Sequence, residues 1–268
     1  MSKRYASEYL LIKVINDLSD FLPYLVLVGG WIPYLYAKYI WTTALNNTTG
    51  SVAGSFPLTT TDMDFGVMIT SYPGDESIAD RVRKLGYGER HVSMDRLIPF
   101  VPIVKGKEDN EKAEVEFITI RKPPKALVEK LVGKEIKLNT IVHFNLLLES
   151  PITVNLFSRT VQIPSEAIFI FHKLLTFVKR ENKEKLRKDL YYAYYMLRFS
   201  PNKDKVIHEI RKLIQSKKEG KFVLGNIKKY FRMEDDKGPV LIEQENGPDD
   251  YISNVREDAY KRIIKLAN

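Results

Sequence analysis

The chain has 268 residues, of which 44% are hydrophobic and 28% charged, and it carries a net charge of +8. That supports a substantial core in one large domain or two modest ones and excludes an intrinsically disordered chain. Cysteine is absent, which excludes disulfides, thiolate metal sites and cysteine nucleophiles and leads us to expect a reducing, cytoplasmic setting.

The first residues, MSKRYASEYLLIKVINDL, turn from basic to apolar, but polar residues interrupt the apolar run and no small-residue cleavage site follows. They predict an amphipathic helix over residues 6–20. Elsewhere no run approaches the roughly 18 apolar residues of a membrane span, so no membrane crossing is expected. Pro23 then breaks the helix, YLVLV at 24–28 predicts a buried strand, and Gly29 and Gly30 predict a sharp turn. WIPYLYAKYIW follows as a helix with Pro33 in its first turn, where a missing N–H costs little.

The Asn/Thr/Gly/Ser-rich stretch between Trp41 and Thr60 predicts an exposed loop. DMDFGVMI at 62–69 predicts a strand with Asp62 and Asp64 on one face, and IADRVRKLG a helix closed by Gly86. Strands are expected at RLIPFVPIV, AEVEFITI, ITVNLF and VQI, with a helix near KALVEKLVG. From Ser165, a candidate N-cap, the pattern becomes helical: EAIFIFHKLLTFVKR, EKLRKDLYYAYYMLRF, KDKVIHEIRKLI and a last helix near ISNVREDAYKRIIKLA. MEDDKG and ENGPDD read as solvated linker. The expected class is α+β, with a mixed-sheet domain over 1–160 and a helical domain over 161–268.

The chemistry concentrates in three short motifs: Gly29-Gly30-Trp31 after one strand, Asp62-Met63-Asp64-Phe65 on a second and Glu114-Val115-Glu116-Phe117 on a third. Carboxylates one residue apart on a strand point the same way, so with a third from a neighbouring strand they suit two divalent cations about 3.5–4 Å apart. Magnesium is the natural ion, since it takes oxygen ligands and shares them with substrate phosphates. Of the third-strand pair we choose Glu116, which precedes the apolar run FITI as Asp64 precedes FGV; Glu114 faces the same side and stays open as the alternative. A side-chain-free glycine turn before a helix lets a triphosphate approach backbone N–H groups. Each motif alone is a weak signal: a glycine pair is usually just a turn, and Asp-x-Asp recurs by chance.

Taken in order, GGW and then TxDxDF resemble the nucleotidyltransferase superfamily signature. PSEAIFIFHKLLTFVKRENKEKLRKDLYYAYYML is similar to the corresponding stretch of AbiEii-type toxins of abortive-infection systems, with Lys173, Lys188 and Asp189 in the family's places. The chain departs from that pattern in a longer gap between Gly30 and Asp62, and in Leu58 where an arginine is common; Thr60 matches the usual threonine. The resemblance implies a mixed sheet with a helical C-terminal domain and transfer of a nucleotidyl group from an NTP, using two Mg²⁺ ions. Asp62, Asp64 and Glu116 would hold metal, Gly29, Gly30, Thr60, Lys173 and Lys188 would bind nucleotide, and Asp189 would orient Lys173 or assist acceptor deprotonation. The acceptor would be RNA or a small molecule, and a toxin would have a cognate antitoxin.

Blander readings stand beside these. Lys173 is also what a snorkelling lysine looks like, Asp189 a helix-dipole acid, KRENKEKLRKD a solvated run, and YYAYY a tyrosine-lined core rather than a base-stacking surface. His91, His143, His172 and His208 show no zinc-like spacing. Two competing functions remain: a non-catalytic nucleotide- or partner-binding module of the same fold, and a glycosyltransferase using Asp-Met-Asp to hold a nucleotide sugar. The latter leaves GGW and the Lys173 and Lys188-Asp189 motifs without a role.

Overall fold

The computed structural model describes residues 3–41, 60–68, 71–102, 112–245 and 254–267. The Asn/Thr/Gly stretch, the KGKEDNEK turn apart from Lys112, and most of ENGPDD lie outside them. The chain divides into two compact units, one made of Met1–Ile32 with Pro57–Pro164 and the other of Pro33–Phe56 with Ser165–Asn268.

In the first unit, α1 (Lys3–Asp17) and a 3₁₀ turn (Ser19–Tyr24) lead into β1 (Leu25–Val28). The chain then turns at Gly29-Gly30 into α2 (Trp31–Leu35), which continues as a wider π turn over Tyr36–Ile40. After β2 (Met63–Val67) come α3 (Ile78–Lys84), β3 (Gly88–Ser93), β4 (Arg96–Pro102) and β5 (Lys112–Thr119). The unit closes with α4 (Lys125–Val132), β6 (Leu138–Thr140), α5 (Asn145–Leu148), β7 (Ile152–Leu156) and β8 (Arg159–Ile163). Ser77 caps α3 with a reciprocal bond to Asp80, a capping box that fixes where this helix begins.

These strands form one eight-stranded mixed sheet in the order β3-β4-β5-β2-β1-β8-β7, with β6 beside the C-terminal half of β5. β2 runs antiparallel to β1 and parallel to β5. Every residue of β1 is buried, the mark of a central strand covered on both faces. On one face Met63, Phe65, Val115 and Phe117 are buried, with the Phe65 and Phe117 rings stacked at 6.1 Å. On the other, Gly66 makes room for α5, since a Cβ there would stand 2.7 Å from Leu148 and 2.9 Å from Phe144. Burying side chains such as Phe65 and Phe117 is worth roughly 1.5–3 kcal/mol apiece, which holds β2 and β5 in register.

The second unit packs α6 (Glu166–Thr176), α7 (Lys183–Phe199), α8 (Lys203–Ser216), α9 (Gly220–Tyr230), α10 (Lys237–Glu245) and α11 (Val255–Ile264). Ser165 caps α6 by accepting from the Ile168 N–H, and Asn182 caps α7 by accepting from those of Glu184 and Lys185. Tyr191, Tyr192, Tyr194 and Tyr195 are all buried, so YYAYY is core. Trp41 joins this core, its ring stacked on Tyr195 at 6.2 Å and its indole N–H donating to Glu166 at 2.5 Å. Among the described residues no helix is long and apolar enough to cross a membrane.

Candidate functional site

Three central strands of the first unit bring the acidic motifs and the glycine turn together. Val28 pairs with Asp64 across β1 and β2, so Gly29 emerges beside that carboxylate. Gly29 has φ +78°, and a Cβ added to it would fall on the Asp64 side chain. Position 29 therefore requires glycine twice, for its left-handed backbone and for its missing side chain. The spatial meeting of the turn with Asp-x-Asp is a consequence of the antiparallel register of β1 and β2.

On the other side of β2, Asp64 and Glu116 are direct partners in the parallel register. Neighbouring strands stand roughly 4.8 Å apart and partner side chains share a face, so two half-buried carboxylates are held side by side. Just before β2 begins, Asp62 is exposed and its Oδ1 accepts the Glu114 N–H at 3.1 Å. The Asp62 carbonyl accepts the Trp31 indole N–H at 3.0 Å and the Thr60 hydroxyl at 3.4 Å. Trp31, quoted in the sequence as part of GGW without a role, thus pins the start of β2 to the residue following the glycine turn.

Glu114 and Glu116 share a strand face but differ in their partners. Arg90 of β3 grips both Glu114 oxygens, at 2.5 and 2.7 Å, and Lys112 approaches at 3.3 Å. The bond from Arg90 holds the Glu114 carboxyl below its ordinary range. Glu116 instead accepts from the Asn139 amide of β6. Sequence reasoning missed both Arg90 and Asn139, because their relation to β5 exists only once the sheet is assembled.

Among the described residues, no three carboxylate or imidazole groups are gathered tightly enough to hold a metal by themselves. The donor set still fits magnesium, which commonly binds through one or two carboxylates and completes its shell with substrate phosphate and water. Asp64 and Glu116 form such a pair, with Asp62 just before the start of β2.

The second unit holds Lys173, Lys188 and Asp189. Lys173 and Asp189 are both buried and paired, and Arg180 donates to the second Asp189 oxygen at 2.7 Å. Burial alone would raise the Asp189 pKa, but the charges of Lys173 and Arg180 and their hydrogen bonds outweigh it and hold the carboxyl below the usual aspartate value. Lys173 also lies 5.4 Å from the Phe169 ring centroid and 5.7 Å from that of Tyr192. Lys188 pairs with Glu184 one turn earlier at 2.6 Å. The basic run is therefore partly absorbed by capping and ion pairs within this unit.

A family model described as nucleotidyltransferase matches residues 11–206 of the chain. Among solved structures, the chain is similar to an antigenic nucleotidyltransferase-like protein from Paracoccidioides brasiliensis, with 12% identity over 85% of this chain and 88% of that one and a TM-score of 0.42. No curated protein matches the sequence.

Proposed function

The chain belongs to the nucleotidyltransferase family, and from that premise we propose that it transfers a nucleotidyl group from an NTP to an acceptor with magnesium held at Asp64, Glu116 and Asp62. The observation that carries this reading is the Asp64 carboxylate, which lies against the side-chain-free Gly29 and in register with Glu116. It puts oxygen ligands beside a backbone turn that a phosphate can approach closely. Bound magnesium would supply charge neutralisation at the transferring phosphate and a more acidic acceptor hydroxyl.

The chain's own residues divide the remaining work. Gly29 and Gly30 expose backbone to the triphosphate, while Trp31 and Thr60 fix the backbone from which Asp62 projects. Arg90 neutralises Glu114 and so favours Glu116 as the third carboxylate. For Asp189, orientation of Lys173 is the role its bonds support, because both of its oxygens already accept from cations. A phosphate contact by Lys188 would exchange for its bond to Glu184. The resemblance to AbiEii-type toxins extends the proposal to a growth-inhibiting cytoplasmic protein with a cognate antitoxin. On that extension, induced expression arrests growth and Asp64→Asn relieves the arrest.

Calorimetric titration of ATP, GTP, CTP and UTP with and without magnesium tests the site directly. One NTP should bind in a magnesium-dependent manner; Asp64→Asn and Glu116→Gln should each remove that dependence, while Glu114→Gln should change affinity less than about threefold. A folded wild type that binds no NTP would sink the proposal. Magnesium-dependent binding with no product over a broad acceptor panel would leave a binding module of the same fold.

A further inference from the structure

On the face that carries the acids, a row of partners runs from the open edge of the sheet toward them. Gly88 of β3 pairs with Phe100 of β4, and Phe100 pairs with Glu114 of β5. The Glu114 N–H then reaches Asp62. Partner residues share a face, so Phe100 stands two strands from Asp62, roughly 10 Å away at ordinary strand spacing. A Cβ at Gly88 would run into the Phe100 ring; the ring therefore lies over the glycine, where a larger residue would push it off the sheet.

One cation stands beside that ring. Lys112 Nζ is 5.1 Å from the Phe100 centroid. Lys112 and Arg90 share the single carboxylate of Glu114, which is 14% exposed, whereas each cation is 38% exposed. Within this trio the two cations are the more exposed groups, while Arg90 also feels the charges of Glu116 and Asp62. An aromatic ring beside an exposed cation is the composition of a surface that stacks a base and holds its phosphate. Strand order gives this cluster a direction. Along β4-β5-β2-β1 the acids of β5 and β2 lie between the Phe100 row and the glycine turn after β1. In-line phosphoryl displacement places the attacking and leaving oxygens on opposite sides of phosphorus. With the triphosphate at the glycine turn, the Phe100 side is the acceptor side.

We propose that Phe100, Arg90 and Lys112 hold a base and its adjacent phosphate from a single-stranded nucleic acid that serves as acceptor, an inference that rests on the nucleotidyl-transfer reading above. The acceptor's terminal hydroxyl oxygen forms the bond to the α-phosphorus, the bond from that phosphorus to the bridging oxygen breaks, pyrophosphate leaves, and the hydroxyl proton passes to water.

The test is fluorescence anisotropy of a fluorescein-labelled single-stranded RNA oligonucleotide, run without NTP, beside calorimetry of the NTP with magnesium. Phe100→Leu should weaken oligonucleotide binding about tenfold while leaving NTP affinity unchanged, and Phe100→Trp should restore it. Lys112→Ala should lower the steepness of the salt dependence by roughly 0.7 of a log unit per decade of salt, as loss of one phosphate contact requires. A wild type that binds the NTP but not the oligonucleotide overturns this inference and spares the transfer reading. Phe100→Leu binding oligonucleotide as tightly as wild type, or weakening the NTP instead, also overturns it; the second result would place the donor base on Phe100.

Discussion

A methyl group at position 29 would occupy space now filled by the Asp64 carboxylate, on a backbone already at φ +78°. Gly29→Ala should therefore cost about 1–2 kcal/mol in stability from its left-handed backbone and weaken magnesium-dependent NTP binding at least about tenfold by displacing Asp64. Gly86 is the matched comparison, with φ +71° and nothing within 4 Å of an added Cβ; Gly86→Ala should lose similar stability and no NTP affinity. Thermal melting with calorimetry on both variants separates strain from the site. The pairing of like charges at Asp64 and Glu116 has an opposite consequence. Direct cross-strand repulsion is destabilising by up to about 1 kcal/mol, so Asp64→Asn should melt no lower than wild type while losing function. At this scale the glycine turn and Asp62/Asp64 were legible, because strand alternation fixes which residues share a face. The choice between Glu114 and Glu116 rested on weaker grounds, since both share a face and only Arg90, arriving through β3, distinguishes their surroundings.

Between α6 and α7 the buried Lys173–Asp189 pair and the half-buried Arg180 form one joint. Asp189 has its folded pKa held below the unfolded aspartate value of about 3.9. Its contribution to stability is then fully present above that value and is lost as pH falls through the lower folded value. Asp189→Asn leaves a buried ammonium without its counter-charge, and should cost about 3–5 kcal/mol at pH 7. Chemical denaturation at pH 7 and again near pH 3 should show the gap between wild type and variant closing in acid; a gap unchanged with pH would mean the pair does not carry this energy. The α6 and α7 helices were readable from their period and from Ser165, whereas β3, α9, α10 and the short β6 and α5 were not; the last two have three and four residues, too few to show a period. Strand β3 is charged, as an edge strand paired on one side can be, and so lacks an apolar run. In α9 Gly220 and Gly225 interrupt the helical pattern, and α10 begins at Lys237-Gly238-Pro239 beside an acidic stretch that reads as linker. Gly238 is kept small by packing rather than by a turn, since a Cβ there would meet the Phe231 ring. That constraint belongs to tertiary contact and leaves no periodic trace in sequence.

For the molecule as a whole, the helical unit is assembled from two separate stretches of chain. Tyr36 and Trp41 are buried with it, and Trp41 donates to Glu166. Burial raises the Glu166 pKa, an effect opposed by its bonds from Trp41 and Ser200. Such a group adds most to stability below the ordinary glutamate value of about 4.3, and that contribution is lost as pH rises through the higher folded value. Trp41→Phe keeps a ring in place and removes one of the two bonds that oppose the shift, so the variant should lose stability more steeply than wild type as pH rises above the ordinary glutamate value. Thermal melts across that range with the same pH profile for both proteins would show that the Trp41 bond contributes little. The local patterns of Trp31–Trp41 gave its helix correctly but hold no signal for which later helices it joins, because that information lies in residues far along the chain. During synthesis this separation becomes a delay. Glu166 follows Trp41 by 125 residues, which at about 5–20 residues per second takes the ribosome roughly 6–25 s. For that interval an aromatic-rich segment has emerged while its partners do not yet exist, so the newborn chain must shelter it by some transient contact or by a chaperone.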